Sequence, residues 1–153
     1  MKLFEQYMAM LIVGIGAYVG NLPLSVEVHE GGHYVVCTAY GYEAERIAWN
    51  QVRCKNPEHL FEYRLAGGMT AAAVLLWPLA LWKRFKLHIL LRAILIVSVG
   101  YAVSEFGKGI FEATDFQFYA SDLGDRIFAW AGWITMLILG FFLRPRRTLQ
   151  LSW

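Results

Sequence analysis

The chain has 153 residues, one domain's length, with 58% hydrophobic residues, 17% charged ones and a formal net charge of +2. So small a charge, with no basic patch interleaved with aromatics, excludes nucleic acid as a partner, and the apolar content exceeds that of a soluble domain this size. The two cysteines, Cys37 and Cys54, form no CxxC pair, and no disulfide is predicted from them.

In chain order, the first apolar block covers residues 3–20. Lys2 precedes it, but no A-x-A-like cleavage site follows, so it reads as a retained helix and not a signal peptide. Asn21-Leu22-Pro23 is a turn or kink signal, which leaves either two separate helices or one broken helix. Residues 24–41 form a second block of spanning length, more polar than the first. Residues 42–64 are polar, and the run 46–52 reads as a strand of a small hairpin. Block 65–82 carries no charge, and Lys83-Arg84-Phe85-Lys86 makes a tight turn after it. Block 87–106 carries only Arg92 and Glu105, and 107–126 reads as a longer polar link. The last block, 127–143, is uncharged and is closed by Arg144-Pro145-Arg146-Arg147.

Each block has about the 17–25 residues that a bilayer-crossing helix needs. Trp77, Trp82, Trp130 and Trp133 lie toward block ends, where indole rings favour the membrane interface. The pattern predicts a single domain over 1–153: an all-α, polytopic transmembrane helix bundle of four to five spanning segments, with a small β-hairpin after the second block. The chain is thus expected to be an integral, multi-pass membrane protein whose surface partner is the lipid bilayer. Its basic residues divide almost evenly between the two sides, which leaves orientation open, and the oligomeric state is not set either.

Within the second block stands His29-Glu30-Gly31-Gly32-His33. The histidines are i and i+4, so on a helix their Cβ atoms share one face roughly 6 Å apart. Two imidazoles so placed can converge on one zinc ion, and Glu30 can take a proton from activated water instead of ligating the metal. Ionisable groups inside a membrane segment cost several kcal/mol and by default signal function, so three within five residues favour a metal site over packing alone. Gly31 and Gly32 each weaken a helix by about 1 kcal/mol relative to Ala. That loss is offset where another backbone, of a neighbouring helix or of an extended substrate, approaches closely.

The HEGGH sequence in an apolar helix resembles the site-2 protease family of intramembrane zinc metalloproteases. In that family H-E-x-G-H supplies two zinc ligands and the catalytic glutamate, a glycine-bearing motif opens the next core helix, and a later aspartate is the third ligand. Here Leu65-Ala66-Gly67-Gly68 stands where the family often has A-G-P, and Ala113-Thr114-Asp115-Phe116 is the nearest match to its L-D-G stretch. The resemblance implies zinc as cofactor, His29, His33 and Asp115 as ligands, and Glu30 as the catalytic residue. Asp122, Asp125 and Glu105 follow Asp115 as alternatives for the third ligand, and Thr114-Asp115-Phe116-Gln117 also reads as a capping box with Thr114 at the N-cap.

His59 and His88 read as surface histidines, Cys37 as packing beside the site, and Glu27 as facing away from His29. The expected function is a zinc metalloendopeptidase that cleaves membrane-embedded or membrane-adjacent polypeptides, with the 42–64 hairpin as a gate. A metal-holding but inactive relative and a transport or structural membrane protein are the alternatives.

Overall fold

The computed structural model describes residues 3–81 and 88–144. The described residues are 80% helical and include four helices long and apolar enough to cross a membrane and a small two-stranded antiparallel sheet. In order, the elements are α1 (Leu3–Ala39), β1 (Ala44–Ala48), β2 (Gln51–Cys54), α2 (Leu60–Leu75), α3 (Ile89–Thr114), the short α4 (Phe116–Tyr119) and α5 (Asp122–Phe142). A 3-10 turn, Trp77–Leu81, extends α2. The expected tight turn at 83–86 and the basic run after Arg144 lie outside the described residues.

The first two apolar blocks form one continuous helix of 37 residues with Pro23 inside it, not two. A proline removes one helical N–H and crowds the carbonyl four residues back. Polar groups gather on this turn: the Tyr101 hydroxyl donates to the Tyr18 carbonyl (3.1 Å), Ser25 Oγ to the Leu22 carbonyl (2.9 Å), and Asn21 Nδ2 to Ser98 Oγ (3.2 Å). Neighbouring hydroxyls and a packed helix are what let proline persist inside a long apolar helix.

Past the end of α1 stands Gly41, whose φ of 81° is a left-handed conformation that favours glycine. The N–H groups of Gly41 and Tyr42 return to the carbonyls of Thr38 and Cys37, a Schellman closure. The chain then reverses into the hairpin. The run 46–52 is not one strand: its middle is the turn, and β1 and β2 flank it, with Arg46 opposite Val52 and Ala44 opposite Cys54. The hairpin lies back along α1, and Cys37 and Cys54 are joined in a disulfide with Cα atoms 5.8 Å apart. Their separation of 17 residues carries no local signal. Only the turn at Gly41 and the hairpin register bring them together.

α3 is the central helix, packed against α1, α2 and α5. Small residues set these approaches. A Cβ at Gly68 would strike the Glu105 carbonyl and the backbone of Gly109, and one at Gly32 would lie 2.6 Å from the Ala66 carbonyl. On the other side of α3, a Cβ at Gly132 of α5 would lie 2.9 Å from the Gly100 carbonyl. Close backbone approach through small residues is the usual packing device for apolar helices without a hydrophobic driving force between them. α3 extends to Thr114, so residues 107–114 of the expected polar link are helical. Large apolar side chains such as Leu11, Ile15, Val19, Trp130, Leu137 and Phe141 point outward from α1 and α5.

Gly68→Ala is therefore expected to destabilise the bundle by about 1–3 kcal/mol through overpacking. Gly14→Ala, with nothing within 4 Å of the added methyl, should be neutral or slightly stabilising. Thermal unfolding of the two detergent-purified variants decides it, and equal midpoints would contradict the packing role given to Gly68.

Candidate metal centre

His29 and His33 project from one face of α1 into the junction of α1, α2 and α3, and both are nearly buried, 6% and 4% exposed. Their rings pack edge to face, centroids 4.9 Å apart. Each ring is held through its Nδ1. His29 Nδ1 lies 2.8 Å from Glu105 Oε2, and His33 Nδ1 lies 2.7 Å from the main-chain carbonyl of Tyr63 in the first turn of α2. The Tyr63 ring also packs on His33, at 4.8 Å. With both Nδ1 atoms engaged, both Nε2 atoms are left to face the carboxylate of Glu112, in the last turns of α3.

The distances across this gap are informative. His29 Nε2 to Glu112 Oε2 is 3.3 Å, and His33 Nε2 to Glu112 Oε1 is 3.4 Å. Charge-assisted N–H···O bonds run shorter, about 2.7–2.9 Å. A carbonyl can only accept, so His33 Nδ1 must carry the proton that Tyr63 receives, and a neutral His33 then turns an Nε2 lone pair toward a carboxylate. A positive charge resolves such a contact in a buried site, either a proton on the imidazole nitrogen or a metal ion between the two acceptors. Ligand atoms about 2.0–2.1 Å from a tetrahedral centre lie about 3.3–3.4 Å apart, matching both gaps. All three donor atoms fall within 4.8 Å of one another, so the group could hold a metal ion.

Gly67 completes the fit. A Cβ there would press on His33 Nε2 and lie 2.6 Å from both Nε2 and Cδ2 of His29. Glycine leaves that space open. Gly32 serves the α1–α2 contact, whereas a Cβ at Gly31 would meet nothing within 4 Å, so of the two only Gly32 is used for helix approach.

Glu105 does not face the gap. It sits behind His29, 4% exposed, and shares its other oxygen with Lys108 Nζ at 3.2 Å. A carboxylate on the far nitrogen of a ligating imidazole fixes the tautomer and raises ligand basicity. Glu30, one residue on from His29, lines the adjoining cavity of about 500 Å³, and its Oε2 accepts the main-chain N–H of Val52 at 2.7 Å. Tyr63, Arg64, Tyr119 and β2 form much of the remaining wall. Burial, with the field of Glu112, Glu105 and Glu30, pushes the Tyr119 phenol up, so it stays an O–H donor.

Asp115, expected as the third ligand, is not in the group that the structure brings together among the described residues, which is His29, His33 and Glu112. Asp115 is exposed and stands at the N-cap of α4, where its Oδ1 accepts the Phe118 N–H at 3.1 Å. Its carboxylate is committed to a helix end, a role that needs no metal. The expected N-cap, Thr114, belongs to α3 and bonds back to the Ile110 carbonyl at 2.7 Å. Asp122 and Asp125 are exposed in the first turn of α5. The carboxylate that reaches the histidines is Glu112, which the sequence reading placed in a loop. Its signal was the spacing Glu105, Lys108, Glu112, which puts three ionisable groups on one face of a continuing helix. Glu27, read as facing away from His29, pairs with Arg46 of the hairpin at 2.6 Å. Cys37 is in the disulfide, His59 stacks on Tyr40 at 4.3 Å, and His88 is exposed at the start of α3.

Titration of the purified protein with a divalent ion, followed calorimetrically, should give one tight site. Glu112→Gln is expected to remove it, Glu105→Gln to weaken it by about 10–100-fold, and Asp115→Asn to leave it unchanged. Loss of the site in Asp115→Asn but not in Glu112→Gln would contradict the assignment. Comparison of the chain with protein-family models, with curated proteins and with solved structures gave no match.

Proposed function

We propose that the chain is a multi-pass membrane protein and a zinc-dependent peptidase, acting on extended segments of membrane-embedded or membrane-adjacent polypeptides. The observation that carries this reading is the convergence of two imidazole nitrogens and one carboxylate beside a cavity that also holds Glu30. Two histidines and a glutamate leaving an open position form a donor set used by catalytic zinc. The likeness of His29-Glu30-Gly31-Gly32-His33 to intramembrane metalloproteases supports a peptide over other hydrolysable substrates.

Zinc, when bound, supplies Lewis acidity that polarises a carbonyl and acidifies water. His29, His33 and Glu112 would hold it, and Glu105 keeps His29 presenting Nε2. Glu30 would accept the proton of the attacking water and return it to the leaving amine, as base and then acid. The site lies near one end of the bundle, since Tyr63 is in the first turn of α2 and Glu112 near the end of α3. Water reaches such a level more readily than it reaches a bilayer centre.

The alternative of a metal-holding protein without hydrolysis rests on the Val52 N–H that occupies Glu30. Glu30→Gln separates the two. Cleavage of an unfolded polypeptide by purified, metal-loaded protein should fall by about 10²–10⁴-fold in this variant while metal binding is retained. Equal cleavage by wild type and Glu30→Gln would remove Glu30 from the chemistry, and its absence in both would favour the non-hydrolytic reading.

A further inference from the structure

The backbone of Val52 is held as a substrate's would be. Its N–H donates to Glu30 Oε2 at 2.7 Å, and its carbonyl accepts the Tyr63 hydroxyl at 2.8 Å, so both groups turn away from β1 and toward the cavity. An extended chain bound along this edge would offer the same two main-chain groups, an N–H to a carboxylate and a carbonyl to an O–H donor. Tyr63 is also tied to the metal-facing group, because its main-chain carbonyl holds His33. While β2 is seated, an extended chain cannot take either contact.

The attachments of the hairpin are unequal. At its base Cys54, two residues from Val52, is covalently joined to Cys37, and both cysteines are buried. At the level of Val52 the opposite strand is held to α1 by the Arg46–Glu27 ion pair, whose side chains are 44% and 51% exposed. Exposed ion pairs contribute little and are screened by salt. One end is therefore a fixed hinge, and the other is held by this exposed latch together with the Val52 contacts to Glu30 and Tyr63.

We propose that the hairpin is a self-occluding gate: β2 occupies the peptide-binding edge of the site, pivots at the Cys37–Cys54 disulfide when the Arg46–Glu27 latch releases, and yields Glu30 and Tyr63 to the backbone of an extended polypeptide. This rests on the peptidase reading above for the identity of the incoming chain, while the hinge and latch stand on the hairpin's own contacts.

The test uses the full chain in detergent with its native disulfide intact. In one form Arg46→Ala removes the latch. In another, Glu27→Cys/Arg46→Cys is joined by a short bis-maleimide, with the unjoined double variant as control. Hydrogen exchange at residues 49–54 and cleavage of fluorescein-labelled β-casein are followed in each. Arg46→Ala should speed exchange at Val52 by about two- to fivefold and raise casein cleavage. The joined form should slow exchange at least tenfold and lose cleavage, while the control resembles Arg46→Ala. Exchange at Val52 that ignores both changes overturns the gate, as does a joined form that cleaves casein like wild type. If exchange responds as stated and no form cleaves casein, the peptidase reading fails and the hinged hairpin stands.

Discussion

A carboxylate cannot be held against imidazole lone pairs in a dry interior without something positive between them. That constraint organises the centre of this protein. Burial removes the water that would otherwise separate the acceptors, and the hydrogen bonds behind the rings remove the freedom to turn away. His29 faces a carboxylate at each ring nitrogen, Glu105 behind it and Glu112 across the gap. A bound cation meets the same requirement with the spacing that is found.

The surrounding bundle serves this convergence through absent side chains. Gly67 keeps the space before the two Nε2 atoms clear, Gly68 and Gly109 let α2 and α3 touch backbone to backbone, and Gly32 lets α1 join them. Apolar helices associate by such fitting where lipid-like surroundings give no hydrophobic gain from contact. The same closeness brings Tyr63 under His33 and Glu112 across from both histidines. Packing and chemistry here share residues, so a methyl at Gly67 acts on the donor set directly. The hairpin adds the outer wall, and its Val52 links Glu30 to Tyr63 across the cavity.

Much of the fold could be read from the sequence, because uncharged blocks of spanning length have few soluble explanations, and His29 and His33 were visible through their i, i+4 spacing. What escaped had physical reasons. Pro23 suggested a break, yet Tyr101, Ser98 and Ser25 supply polar contacts around it and the helix continues. Gly107, Lys108 and Gly109 looked like the start of a loop, but Gly109 serves the contact with Gly68 and Lys108 pairs with Glu105. Ending that helix early hid Glu112 and drew attention to Asp115, whose carboxylate caps α4. The disulfide could not be read from spacing, since it depends on a turn and a strand register that only the folded chain supplies.

The most direct test of the central claim is X-ray absorption at the metal edge of zinc-loaded, detergent-purified protein. The expected spectrum has nitrogen and oxygen neighbours at about 2.0–2.1 Å, multiple scattering from two imidazoles, and no sulfur. A shell of water oxygens without imidazole scattering, or sulfur at about 2.3 Å, would contradict a centre built from His29, His33 and Glu112.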